Sequence, residues 1–231
     1  MSSSVRAGVV AIAVAALGLG LAGCGSDTET ESTETAAETT TTTTTGEAAP
    51  TTTAQAQGPH YTIADYVRDN GITEEPVQRD TPGAPVVNMP TPPGWADAGP
   101  NAPQWSYSAI LFTAPEFAAD PPTVVALMSR LTGDVDPAKI LEFAAGEIQN
   151  LPNYEGGDKG EPSQLAGFDA VQLGGLYVRD GVRRAIAQKT VVIPGEGALY
   201  VLQINADGRE DQMGVLMDAT VAIDEQTTIT V

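Results

Sequence analysis

The stretch that decides the fold is "FDAVQLGGLYVRDGVRRAIAQKTVVIP", Phe168–Pro194. Two runs rich in apolar and β-branched residues flank Asp180-Gly181, a dipeptide favoured in two-residue type I′ turns, and together they predict a long antiparallel hairpin. Counting outward from the turn, Val178 faces Arg183 and Tyr177 faces Arg184, so Arg183 and Arg184 point to opposite sides of the sheet. Within the first strand lies Gly174-Gly175. Mid-strand glycines weaken a sheet unless something approaches closely, either a packed helix or a ligand such as an acyl chain.

Downstream, "GALYVLQINAD" (Gly197–Asp207) predicts another strand and "TITV" a last short one. Between them "REDQMGVLMDATVAIDEQ" predicts a long helix, with Met213, Leu216, Met217, Thr220 and Val221 expected on its inner side. Upstream, "DVDPAKILEFAAGEIQNLP" carries a strong helix start: Asp136 as N-cap and Pro137 at the first helical position. Ile140, Leu141, Ala144, Ala145 and Ile148 give it an apolar stripe, and Asn150 and Pro152 mark its end. Before it, "PTVVALMSRL" and "QWSYSAILFT" read as strands, "APVVNMPTPPGW" as a short strand stopped by prolines, and "EEPVQRD" as extended. "TIADYVRDNG" reads as a short helix capped by Thr62 and ended by Gly71. The order is α-β-β-β-β-α-β-β-β-α-β. Its hairpin and successive strands predict an α+β sandwich, a mainly antiparallel sheet flanked by helices.

These elements occupy residues 60–231, 172 residues, which suits one globular domain burying about 70% of its unfolded surface. It holds 24 acidic and 10 basic residues, a net charge of −14. A basic stripe is absent, which excludes nucleic acid as a partner, and anionic headgroups repel such a surface.

Residues 25–59 contain no Leu, Ile, Val, Phe, Trp or Tyr. A segment of Thr, Ser, Glu, Ala, Gln, Gly and Pro buries too little to offset its conformational entropy, so a disordered linker is expected. As a flexible coil its ends sit roughly 30–35 Å apart, and fully stretched it reaches about 120 Å. It serves as an inert spacer or carries O-linked sugars. Ahead of it, Arg6 precedes the uncharged Val9–Leu21, whose 13 residues match a signal-peptide apolar region and fall short of the about 20 needed to span a bilayer. Leu21-Ala22-Gly23-Cys24 is a lipobox. Residues 1–23 are therefore expected to be a cleaved lipoprotein signal that directs Sec export, with the Cys24 thiol acylated; the plain alternative is a secreted protein with a chance cysteine. Two or more acyl chains hold a protein stably at a membrane. Cys24 is the only cysteine, so no disulfide is available to the folded part.

Catalytic chemistry finds little material. The only histidine, His60, sits at the linker edge; there is no G-x-S-x-G motif, no phosphate loop and no metal-ligand spacing. The carboxylate pairs Asp134/Asp136 and Glu210/Asp211 have structural accounts, a helix cap and a helical first turn. No catalytic residue, metal site or cofactor is expected. Two features could serve binding. Arg179, Arg183, Arg184 and Lys189 are four of the ten cations, and they either protect the hairpin or contact an anionic headgroup or acidic partner. Trp95 and Trp105, near proline-rich loops, belong to the core or line a groove.

The segments "YTIADYVRDNGITEEPV", "MPTPPGW", "PPTVVALMSRLTGDVDPAKILEFAAGEIQNLP", "AQKTVVIP", "VLQINAD" and "LMDATVAIDEQTTIT" resemble the mycobacterial LpqN/LpqT lipoprotein family over nearly all of 61–231. The resemblance implies a PsbP-like α/β/α sandwich at the outer face of the plasma membrane. It also implies partners among MmpL-type exporters of trehalose mycolates and the secreted mycolyltransferases, with trehalose glycolipid or an acyl chain as a ligand. It brings no catalytic motif. Three functions stay open: an accessory protein of envelope assembly, a carrier enclosing an acyl chain in a helix–sheet cleft, and a hydrolase or transferase of unfamiliar design. A carrier needs a cavity of about 300–1,000 Å³, an accessory protein an exposed apolar or charged patch.

Overall fold

The structure, a computed structural model, describes residues 58–231. The lipobox Leu21-Ala22-Gly23-Cys24, the signal segment and the Thr-rich stretch as far as residue 57 lie outside the described residues.

Hairpin and register are as the turn predicts. Strands β8 (Phe168–Arg179) and β9 (Val182–Gly195) pair antiparallel, with Val178 opposite Arg183 and Tyr177 opposite Arg184. Asp180 and Gly181 both take positive φ, 53° and 77°, as a type I′ turn requires. Strand β10 (Ala198–Arg209) continues the meander on β9, and β5 (Thr123–Thr132) pairs with its far edge. Outside β5 come β4 (Ser108–Phe112) and β3 (Trp95–Asp97); outside β8 come β6 (Glu155–Gly156) and β7 (Glu161–Leu165). β1 (Thr73–Pro76) also pairs with β5, giving a nine-stranded sheet whose pairings are all antiparallel. A separate two-stranded sheet joins β2 (Val86–Asn88) to β11 (Thr228–Thr230).

Alternation along the strands splits the core in two. Val191, Ile193, Leu202, Ile204 and Ala206 face helix α4 (Met213–Gln226), together with Val124, Ala126 and Met128 of β5. Val192, Val201, Leu199 and Leu131 face the other way, against α1 (Ile63–Asp69) and α2 (Pro137–Phe143); Leu173 meets α3 (Ala145–Gln149). Helices thus cover both faces.

The helix starts follow their sequence signals. Thr62 and Asp65 form a reciprocal capping box on α1, and the Asp136 carboxylate accepts from the Ala138 N–H at 2.8 Å. The expected single helix over 136–150 is interrupted at Ala144, which divides it into α2 and α3. Gly146 lets the incoming chain pass directly over α3: a Cβ there would collide with the Tyr61 carbonyl.

Three expectations change. Met213, Met217 and Val221 do not line the inner side of α4; Leu216, Ala219 and Ile223 do, while those three are exposed. Stripes one residue apart differ by 100° of helix rotation, and both stripes here are apolar, so the pattern alone did not choose the buried one. The strand from Gln104 begins later, at Ser108, with Trp105 only half-buried and both Ala109 and Ile110 buried. Finally, β3, β6 and β7 are additional. The turn Ala166-Gly167, with φ of 51° and 86°, makes a second hairpin of β7 and β8.

Candidate functional site

On the α4 side of the sheet a groove of about 500 Å³ runs between the helix and the outer strands β8 and β9. Its floor is Gly174 on β8 and Ala187 on β9, directly opposite one another in the ladder. Neither fills the space beside α4, which is why the cleft exists. Ile204 and Ile223 close its inner end, and Val221 stands on the helical side.

The two mid-strand glycines thus have separate reasons. Gly175 faces the α3 side, where a Cβ would meet the Glu155 carbonyl oxygen and the Tyr154 ring, both at 2.6 Å. Gly174 meets no closer neighbour than the Ile186 carbonyl at 3.3 Å and opens onto the groove.

The polar margin of the groove is organised around Lys189. Its Nζ pairs with Asp224 of α4 at 2.8 Å and donates to Ser163 Oγ at 3.0 Å, and Ser163 donates to Gln172 Oε1 at 3.3 Å. Lys159 and Glu161 flank the entrance. The lysine charge is balanced in place, while Lys159, Glu161 and the Gln172 amide remain as polar groups of the margin. The cleft combines an apolar floor with a hydrogen-bonding edge.

The hairpin cations, read as protecting the hairpin or contacting an anion, are occupied within the chain. Arg184, 4% exposed, reaches Asp120 Oδ2 at 2.7 Å through Nη1 and Asp207 Oδ1 at 2.8 Å through Nε. Burial opposes its charge, but those two carboxylates outweigh it and hold its pKa above the usual value. Asp207 also accepts from Tyr177 and from Arg179 Nη2, and Tyr177, buried beside this carboxylate, is pushed up to about 12. Arg183, on the opposite face, bridges Glu155 and Glu210 at 3.1 Å. Trp95 is buried in the core against Phe112, with ring centroids 5.5 Å apart; neither it nor Trp105 borders the groove. Of the carboxylate pairs, Asp136 caps α2, Glu210 meets Arg183 and Asp211 meets Arg209. At His60 the backbone is tied to the Asn150 side chain in both directions, and the residue is exposed.

A second polar cluster lies under α3, and sequence reasoning missed it. Glu147 accepts from Gln203 Nε2 at 2.9 Å and Gln188 Nε2 at 3.4 Å. Burial pushes its carboxyl up to about 7, with Glu74 adding to the rise. The adjoining cavity is only about 10 Å³, no more than one water. Gln188 and Gln203, which alternate onto the same face as Val192 and Val201, were the available signal. Among the described residues no helix is long and apolar enough to cross a membrane.

Fold and groove together define an α+β sandwich with a ligand-sized cleft between helix and sheet. A family model described as "Probable lipoprotein LpqN" matches residues 59–230, and the chain belongs to that family. It is 53% identical over 176 residues to lipoprotein LpqN of Mycobacterium tuberculosis, covering 76% of this chain and 77% of the relative. A lipoprotein of Mycobacterium leprae, LpqT, is 27% identical over 134 residues, 57% of either chain. The crystal structure of M. tuberculosis LpqN, a protein described as involved in cell envelope biogenesis, superposes with a TM-score of 0.71 at 52% identity, over 75% of this chain and all of that one. The names of the family and of both relatives are those of lipoproteins, without an enzymatic activity.

Proposed function

We propose that this chain is a membrane-anchored, non-enzymatic accessory lipoprotein of cell-envelope assembly that binds a glycolipid in the α4 groove. The groove itself carries this reading. Its volume, about 500 Å³, lies within the range of small-molecule sites, about 300–1,000 Å³. An acyl chain would lie over Gly174 and Ala187, and a sugar headgroup, such as trehalose, would meet Lys189, Gln172 and Glu161. The kinship with a protein described as involved in envelope biogenesis supports the setting. Acylated Cys24, reached by Sec export, would hold the protein at the outer face of the plasma membrane, and the 35 residues between it and His60 would let the groove reach outward. Partners of the MmpL-exporter and mycolyltransferase kind would deliver and take up the same lipid. The acidic surface keeps the folded part from lying flat on anionic headgroups.

Native mass spectrometry of the lipoprotein extracted from its envelope in mild detergent tests this. One glycolipid per protein is expected, together with a diacylglyceryl mass on Cys24. Ala187→Phe should abolish the bound glycolipid while leaving the circular dichroism spectrum unchanged. A bare Cys24 removes the anchor, and glycolipid retained in full by the Ala187→Phe protein removes the groove from the proposal.

A further inference from the structure

We infer that the outer face of α4 is a docking surface for an amphipathic, basic helix of a partner protein. Met213, Met217 and Val221 are 37, 61 and 55% exposed, and they are three of the seven large hydrophobic residues exposed among the described residues. They recur every four positions, so they form one stripe along the helix. Leu216, Ala219 and Ile223 form the neighbouring stripe, about 100° round the helix, and are packed on the sheet. An apolar arc this much wider than the face packed on the sheet calls for a second cover, and among the described residues only the sheet is present. Two of the three exposed residues are methionines, whose flexible, polarizable side chains adapt to an incoming surface.

Charge selects the occupant. α4 contains Asp218, Asp224 and Glu225 and no lysine or arginine, and Glu210 and Asp211 stand in the turn before it. Glu210, Asp211 and Asp224 are paired with Arg183, Arg209 and Lys189, whereas Asp218 and Glu225 form no ion pair within the described residues. An apolar stripe bordered by unneutralised acids complements an apolar stripe bordered by Lys or Arg, laid along it as helix on helix. The same border repels a second copy of α4 and an anionic membrane. The inference goes beyond the glycolipid groove: Val221 borders both, but Met213 and Met217 do not line the groove, so the two can fail separately.

The test uses the full lipidated chain in detergent, labelled with ¹³C at the methionine methyls. The probe is a synthetic Leu/Lys helix of about 18 residues, five turns, with a single apolar stripe. Controls are its shuffled sequence and a Leu/Glu version. The Met213 and Met217 signals should shift on titration while buried Met128 stays unmoved. Met213→Ser with Met217→Ser should weaken binding about ten-fold or more, whereas Val182→Ser, an exposed apolar residue at the hairpin tip, should not. Asp218→Asn with Glu225→Gln should weaken it too. Equal affinity for the shuffled or Leu/Glu peptide, or binding that leaves both signals unmoved, overturns the proposal. It is equally overturned if the serine pair leaves peptide affinity intact, or if its effect is to abolish self-association or vesicle binding instead.

Discussion

Beneath α1, α2 and α3 the sheet carries Arg184, Gln188, Thr190 and Gln203, all buried; beneath α4 it carries Val191, Ile193, Leu202 and Ile204, with Lys189 as the one buried charge. The polar side is closed. Each ionised or amide group there has a partner fixed by the ladder, and its adjoining cavity holds about 10 Å³. The apolar side is left open, with a groove of about 500 Å³ and a second apolar stripe on the helix that covers it. Buried polar groups are costly unless every one is satisfied, so they demand a unique arrangement. Apolar surface makes no such demand and can be covered by whatever fits. The same sheet therefore carries its rigid network on one face and its binding surfaces on the other.

The sharpest break of that comparison is at adjacent residues of β9 that face opposite ways. Arg184→Ala leaves Asp120 without its cation and Asp207, 16% exposed, with only the longer cation contact from Arg179 at 3.3 Å. A loss of about 3–5 kcal/mol is expected, the usual cost of opening a buried ion pair from one side. Arg183→Ala removes bridges to two exposed glutamates, and its urea midpoint should stay close to the parent's. Urea unfolding of both variants checks this; equal losses would mean that the two faces are not differently built.

Glu147 sharpens the picture through pH. Its carboxyl binds a proton more tightly in the folded state, about 7 against an ordinary 4.5. The stability it contributes is therefore complete below the ordinary carboxylate range and is lost as pH rises through about 7. Glu147→Gln keeps an acceptor for Gln203 and Gln188 and removes the buried charge. At pH 8 it should be more stable than the parent by up to about 3 kcal/mol, and the difference should vanish below pH 4.5. A gap that is constant from pH 4 to 8 would place Glu147 in water-like surroundings.

How far these features could be read in advance depended on how local their cause is. Asp180-Gly181 fixes its own turn by positive φ, and the register of β8 on β9 follows from it residue by residue. Asp136-Pro137 starts α2 for equally local reasons. The inner face of α4 was not legible, because its two apolar stripes are equivalent until the sheet is placed beneath one. Trp105 alternated correctly with Tyr107 yet lies before the strand. Gly174-Gly175 announced a close approach without saying on which side; the answer came from Tyr154, 21 residues before Gly175, whose ring packs over Gly175 and leaves Gly174, facing the other way, open to the groove. The partners of Arg184 lie 23 and 64 residues off, a distance over which no spacing rule applies.

The smallest effect concerns the one residue of the closed face that breaks its rule. Thr190 is fully buried in β9, opposite Gln203, and its Oγ1 has no hydrogen-bond partner among the described residues. Its neighbours supply the reason: Gln203 Nε2 is committed to Glu147, and Gln188 to Glu147 and Asn205. A hydroxyl without a partner forfeits its hydration on folding, whereas a methyl of the same size loses nothing. Thr190→Val should therefore raise stability by up to about 1 kcal/mol, read as a higher urea midpoint with an unchanged slope. If valine destabilises instead, Oγ1 is bonded to an ordered water, and the closed face is wetter than its packing indicates.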